Sequence, residues 1–192
     1  MNKILVLLTL VWAVGCSSYN SSVVEVVIET SQGDIVVEVD TVAAPITGAN
    51  FLRYVDAGMY SGGSFFRVVT PDNQPQDSIR IEVIQGGANP DFRADFFDDI
   101  PLERTSETGL LHEDGTISMA RGLPDSGNHS FFICIGAQPS LDFGGMRNPD
   151  GQGFAAFGKV TEGMDIVKMI QSGEVADQML VQPVAILGAH RN

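Results

Sequence analysis

Gly115-Thr116-Ile117-Ser118-Met119-Ala120-Arg121-Gly122-Leu123-Pro124-Asp125-Ser126-Gly127-Asn128-His129-Ser130-Phe131-Phe132-Ile133-Cys134-Ile135-Gly136 is the stretch on which the reading of this chain turns. Two short apolar runs, residues 116–120 and 131–135, flank a polar segment rich in Gly, Asp, Asn and Pro. That pattern predicts two strands joined by an ordered loop. Phe131-Phe132 is its most informative pair, because successive strand residues face opposite sides of a sheet. One ring must enter a core, and the other must line whatever surface the sheet presents.

Working outward, residues 23–30 alternate, with Val24, Val26 and Ile28 on one face and Glu25, Val27 and Glu29 on the other. Ser31-Gln32-Gly33 turns the chain, and Ile35, Val37 and Val39 repeat the alternation against Asp34, Val36 and Glu38. A hairpin is expected there. Ala44-Pro45 opens a helix, with Ile46, Ala49, Leu52 and Val55 at helical spacing, Phe51 beside them and Gly58 as the stop. Residues 70–78, 89–113 and 138–152 read as loops, the middle one acidic and without the spacing of an oxygen-ligand calcium loop. Residues 154–160 form a strand, and Met164, Val167 and Ile170 align along a short helix. Residues 181–187 close the sheet, leaving 188–192 as a frayed tail. About eight strands and two helices, with no repeat or linker, indicate a mainly β domain, either a closed antiparallel barrel or a sandwich.

At 192 residues, 44% hydrophobic and 18% charged, the chain is long enough for one domain with a substantial core. A formal charge of −13 excludes nucleic acid as a natural partner and suits a soluble monomer. Residues 1–22 stand apart from the fold. Lys3 gives a positive start, and residues 4–14 are almost wholly apolar yet too few to span a bilayer, which needs about 20. The segment reads as a secretory signal. It ends Ala13-Val14-Gly15-Cys16, which resembles the lipobox of bacterial lipoproteins with Cys16 as the acylated residue, although Ala13 sits where that motif prefers Leu or Val. An ordinary cleaved signal is the alternative. With Cys16 lipidated, Cys134 is the remaining thiol, no intrachain disulfide is possible, and its apolar strand suggests a small buried hydrophobe.

Five pieces, two of them within the opening stretch, occur in order: Phe66-Arg67-Val68-Val69, Ile84-Gln85-Gly86-Gly87, Gly115-Thr116-Ile117-Ser118-Met119-Ala120, Phe131-Phe132-Ile133 and Phe157-Gly158-Lys159-Val160. Together they resemble the cyclophilin family of peptidyl-prolyl isomerases across roughly residues 24–160. The resemblance selects the closed eight-stranded antiparallel barrel capped by two helices, formed by residues 23–192. It implies a peptidyl-prolyl cis-trans isomerase without a cofactor, acting on proline-containing segments of unfolded or envelope proteins from a bacterial, periplasmic or surface-side, lipid-anchored position. By the same resemblance, Arg67 is the catalytic arginine and Gln85 the glutamine that bonds the substrate backbone and holds the arginine. Phe132 is the floor of the proline pocket, and Met119, Ala120 and Arg121 form the segment whose backbone meets the substrate. Leu141 is an apolar wall, and Phe154 stands where relatives carry histidine or tyrosine.

Each of these has a plainer reading. An arginine often pairs at a barrel rim, a glutamine often satisfies a barrel end, and a loop leucine is often a plug. The chain also departs from the family. Val83 and Glu82 stand in for methionine and phenylalanine, Ser130 for glutamine, and Ser140 for tryptophan or phenylalanine. These changes imply a less aromatic pocket and weaken the expectation of cyclosporin-type ligands. They leave open a low-activity proline-peptide-binding module or chaperone on the same barrel, or a structural envelope lipoprotein. Other chemistries lack support: Asp125, His129 and Ser130 supply hydrolase residue types without a nucleophile elbow. His112, His129 and His190 have no metal-ligand spacing.

Overall fold

Side-chain alternation organises the computed structural model, which describes residues 23–192; the expected leader, Cys16 and the tether before Val23 lie outside the described residues. β1 (Val23–Thr30) and β2 (Gly33–Asp40) form the predicted hairpin, in register from Val23↔Asp40 to Thr30↔Gly33. Val26, Ile28, Ile35, Val37 and Val39 face inward and are fully buried. The remaining strands are β3 (Ser64–Val69), β4 (Val83–Gly87), β5 (Thr116–Met119), β6 (Phe131–Cys134), β7 (Ala155–Glu162), β8 (Val175–Ala176) and β9 (Met179–Arg191). Their order is β1-β2-β7-β5-β6-β4-β3-β9, and β9 returns to pair with β1, so eight antiparallel strands close into a barrel. β8 is an extra two-residue strand hung on β9. At Gly158 the β7 backbone comes so close to β2 that a Cβ would lie 2.0 Å from the Glu38 carbonyl oxygen, which is why this strand position has no side chain.

Closure corrects one expectation. Residues 188–192 are not a frayed tail: β9 continues to Arg191, and Gly188, Ala189, His190 and Arg191 pair with Glu29, Ile28, Val27 and Val26. Those residues are polar or small, so their sequence carries no apolar alternation to announce a strand.

α1 (Pro45–Asp56) starts and ends where expected, but its buried face is shifted. Ile46 is 42% exposed and Ala49 is exposed, while Thr47, Asn50, Phe51, Tyr54 and Val55 are buried. Two of these polar groups have fixed partners: the Asn50 amide nitrogen donates to the Asn128 carbonyl, and the Tyr54 hydroxyl bonds Asn128 and accepts from Phe97 N–H at 2.9 Å. The helix lacks a side-chain cap of its own. Glu103 supplies one from far along the chain, its two carboxylate oxygens accepting from Ile46 and Thr47 N–H at 3.0 and 2.7 Å. A four-residue helix, α2 (Thr105–Thr108), lies in the acidic loop. α3 (Met164–Gln171) buries Val167 and Ile170 as predicted. α1 packs on β9, β7 and β2, and α3 on β2, β3 and β4.

The barrel wall separates two apolar clusters. Inside lie Phe51, Tyr54, Tyr60, Phe65, Val68, Ile84, Phe131, Ile133 and Phe157 among others. Outside lie Val69, Ile81, Val83, Phe132, Cys134 and Leu141, with Ala120 and Phe154 against them. Phe131 meets Phe51, Tyr60 and Phe65 edge-on at 5.5–5.7 Å between ring centroids. Removing residues 188–192 tests the closure: the loss of four paired positions is expected to lower unfolding stability by about 2–4 kcal/mol, read from the urea midpoint. An unchanged midpoint would show that the β1–β9 seam holds nothing together.

Candidate active site

The outer cluster forms the floor of a pocket of about 260 Å³ lined by Arg67, Ile81, Val83, Gln85, Ala120, Arg121, Phe132, Leu141, Arg147, Asn148 and Phe154. Three antiparallel strands bring the central residues together. β6 pairs with β4 at Gln85↔Phe132, and β4 pairs with β3 at Arg67↔Gln85, so Arg67, Gln85 and Phe132 lie in one row across the barrel.

Arg67 reaches this row through a β-bulge. Phe65 pairs with Gly86 and Arg67 with Gln85, so two residues of β3 advance against one of β4. Phe65 and Val68 both face the inner core, and the extra residue turns Arg67 outward. Gly86 makes room on the inner side, since a Cβ there would lie 2.9 Å from the Phe65 ring.

Two uncharged side chains hold the guanidinium. Nη1 donates to Gln85 Oε1 at 2.8 Å, Nε donates to Gln178 Oε1 at 3.0 Å, and Nη2 donates to the same Gln178 oxygen. Gln178 is anchored in turn, its Nε2 donating to the Asn73 carbonyl at 3.2 Å and its backbone carbonyl accepting from Val68 N–H at 2.8 Å. Three of the five guanidinium donors are thus used for positioning, and the others remain for a ligand. Burial, followed by the nearby charge of Arg147, lowers the Arg67 pKa from its ordinary value, opposed by Asp77. The group stays cationic in ordinary buffers.

Phe132 is 5% exposed and forms the apolar base. Phe154 meets it edge-on at 5.5 Å, and His112 stacks nearly parallel to it at 5.9 Å. His112 belongs to a buried chain: its Nδ1 lies 2.7 Å from Asp142 Oδ1 and its Nε2 2.9 Å from Ser118 Oγ. Gln74 shapes the wall, bonding Ile81 through both its N–H and its carbonyl.

The sequence-derived residues fall into place unevenly. Arg67, Gln85, Phe132, Ala120, Arg121, Leu141 and Phe154 all line the pocket. Met119 does not: its side chain is 2% exposed and belongs to the inner core. The Arg121 side chain is occupied, donating to the Gly153 carbonyl at 2.8 Å and to both Asp150 oxygens at 2.7 and 2.9 Å. Those bonds lower the Asp150 pKa. Glu82 is not a pocket residue, since its carboxylate accepts from Gln171 on α3 at 3.1 Å. Ile81 lines the wall in its stead, so the pocket gains an aliphatic group where a polar one was expected. Ser140 does not line the pocket either; its carbonyl accepts from Arg147 N–H at 3.1 Å. Sequence reading missed Gln178, Ile81 and Arg147.

Other clusters offer less. Asp125 accepts from Leu102 N–H at 2.8 Å, while His129 Nδ1 accepts from Ala88 N–H at 3.3 Å and sits 3.4 Å from Ser130 Oγ. These three do not form a hydrolase relay. Cys134 is buried, and burial above all pushes its thiol pKa up, so it stays an un-ionised core group. A larger hollow of about 480 Å³ beside β2 and β7 contains neither Arg67 nor an aromatic ring.

The family model for cyclophilin type peptidyl-prolyl cis-trans isomerases matches residues 25–191. The chain belongs to this family. It is therefore an isomerase of the cyclophilin type. A peptidyl-prolyl cis-trans isomerase of Streptomyces antibioticus is 35% identical over 168 residues, covering 84% of this chain and 95% of the relative. Peptidyl-prolyl cis-trans isomerase B of Escherichia coli is 33% identical over 147 residues, covering 76% and 83%. A Cryptosporidium parvum cyclophilin, 20% identical, shares the fold with a TM-score of 0.67 over 88% of this chain and 98% of its own; its structure in the presence of the dipeptide Ala-Pro gives 0.66.

The unexpected anchor gives a direct test. Gln178→Ala leaves Nε and Nη2 of Arg67 without their acceptor. Isomerase kcat is expected to fall about tenfold, the equivalent of one charged hydrogen bond, while KM for a proline peptide changes less than about twofold. Equal loss in both would make Gln178 a general folding residue.

Proposed function

We propose that the chain catalyses rotation about X-Pro bonds in extended or unfolded segments of cell-envelope proteins, from a membrane position held by lipid on Cys16. The observation that carries the catalytic reading is a half-buried guanidinium, held by two neutral glutamines, beside an aromatic floor. Rotation about a peptide bond meets a barrier of about 18–20 kcal/mol from amide resonance. An X-Pro bond has both isomers accessible but interconverts over tens of seconds or longer. No covalent chemistry is needed to accelerate it: the protein must bind the twisted amide better than either planar form.

Twisting ends conjugation, and the prolyl nitrogen becomes a hydrogen-bond acceptor. With the proline ring against Phe132, Leu141 and Val83, an open Arg67 N–H donates to that nitrogen. The planar nitrogen has little to accept with, so the interaction strengthens at the top of the barrier. A fixed donor in a partly dehydrated pocket needs no reorganisation at that moment. Gln85 serves twice, holding Arg67 through its oxygen while its amide nitrogen is available to a substrate carbonyl.

Arg67→Ala is expected to slow isomerisation by roughly 10- to 150-fold, from about 1.5–3 kcal/mol of charge-assisted bonding, with little change in peptide binding. Phe132→Ala is expected to weaken both, because it removes apolar surface that holds proline in every state. Exchange NMR of a proline peptide, with binding titrated on the same samples, separates the two. If the wild type binds the peptide and leaves its exchange rate unchanged, the barrel is a binding module and the catalytic reading fails.

The location is supported by the positive start, apolar run and Cys16 of the sequence. Radiolabelled palmitate is expected to label the wild type and not Cys16→Ala. Equal labelling of the two leaves only a cleaved signal.

A further inference from the structure

This is an acidic chain, −13 overall with 11 basic residues, yet three of those cations, Arg67, Arg121 and Arg147, line one pocket. Arg80, next to the wall residue Ile81, is exposed close by. The three guanidinia are not equally occupied. Arg121 is closed by its bidentate pair with Asp150 and by the Gly153 carbonyl. Arg67 is held by neutral glutamines.

Arg147 is different again. It arrives from the 142–153 loop with its side chain only 14% exposed. Its Nη1 donates to the Ile79 carbonyl at 2.8 Å and lies 2.9 Å from Asp77 Oδ2. Its Nε and Nη2 make no hydrogen bond among the described residues. Asp77 is a weak counter-charge, because its side chain is 43% exposed and water screens it. Three guanidinia therefore line the pocket, while the carboxylates paired with two of them, Asp150 on Arg121 and Asp77 on Arg147, are not among its lining residues. Two cations, Arg67 and Arg147, border the same partly dehydrated space, and the charge of Arg147 works against that of Arg67 there. An anion placed between them relieves that repulsion, and a carboxylate fits the planar open edge of a guanidinium.

We propose that Arg147 makes this site selective for proline-containing segments with an acidic residue directly flanking the proline, its carboxylate meeting the open edge of the guanidinium. The proposal rests on the isomerase reading above. The shape of the groove supports it. From the pocket over Phe132 a polar shelf of Gly122, Ser126, Asn128, His129 and Ser130 runs to one side, sharing Gln85, Ala120 and Arg121 with the pocket. Arg147, Asn148 and Ile81 belong to the pocket and not to that shelf. A peptide with proline on Phe132 and one neighbour on the shelf carries its other neighbour past Arg147.

Four short peptides test this, with Glu or Gln immediately before or immediately after the proline. For the wild type at low salt, kcat/KM by exchange NMR is expected to favour Glu over Gln by roughly threefold to tenfold in one of the two placements. The preference is expected to shrink as salt shortens the screening length. Arg147→Gln takes the ratio to about one. Asp77→Asn raises it by freeing the guanidinium, which general damage to the pocket does not do. An active wild type with no Glu preference in either placement overturns the proposal and leaves the isomerase reading intact, as does a preference that survives Arg147→Gln. No exchange with any of the four peptides overturns the isomerase reading and the proposal together.

Discussion

One additional residue in β3 decides whether this barrel has a site. Strict alternation from Phe65 would send the Arg67 side chain inward, among Phe51, Tyr60 and Phe131. A guanidinium there would be stripped of water with no acceptor to replace it, at a cost of several kcal/mol. The bulge between Phe65 and Arg67 resets the phase, so Val68 returns to the core and Arg67 faces the outer cluster. The same wall, one residue thick, also explains the paired phenylalanines. Phe131 fills the interior while Phe132 floors the pocket, and the two cannot exchange roles without a register slip that would expose every core residue of β6. Core and site are thus two faces of the same three strands.

How the arginine is held matters as much as where it points. Had the positions of Gln85 and Gln178 been carboxylates, the guanidinium would sit in a salt bridge with its charge offset before any substrate arrived. Glutamine oxygens accept the same hydrogen bonds and leave the positive charge available. Three bonds also fix the orientation of a side chain that otherwise samples many rotamers, so the ordering has been done at folding and not at each turnover. The second anchor comes from the β8–β9 turn, which makes the extra strand more than an ornament: it carries Gln178 to the edge of β3.

What could be read from the sequence follows from how local each cause is. The β1–β2 faces, the opposed roles of Phe131 and Phe132, and the row of Arg67, Gln85 and Phe132 were legible because strand alternation and a handful of ordered motifs specify them. The buried face of α1 was not, because Asn50 and Tyr54 enter the core only through Asn128 and Phe97, far along the chain. The end of β9 was hidden for a similar reason, since its partners and not its own side chains make it a strand. Gln178 gave no signal: a glutamine in a short polar turn is ordinary until its oxygen is found on a guanidinium 111 residues away. Glu82 was misplaced because the irregular 70–82 segment obscures which of its residues face inward, and Gln74, bonding Ile81 twice, is what fixes the phase.

The buried chain Asp142–His112–Ser118 shows why residue types and distances do not by themselves make a centre of chemistry. Its spacing, 2.7 Å from carboxylate to imidazole and 2.9 Å from imidazole to hydroxyl, would suit nucleophile activation. Ser118 is fully buried and His112 is 1% exposed, however, so no substrate carbonyl can approach the hydroxyl. The imidazole bridges the Asp142 carboxylate and the Ser118 hydroxyl through its two ring nitrogens, so each buried polar group satisfies another. The Asp142 carboxylate also accepts from His112 N–H at 3.1 Å, which ties the 139–142 turn to the segment before β5. The imidazole then lies flat behind Phe132, and Leu141 is carried into the pocket wall by the same turn. The relay geometry is real, but its work is structural: it fixes the floor and wall of the pocket.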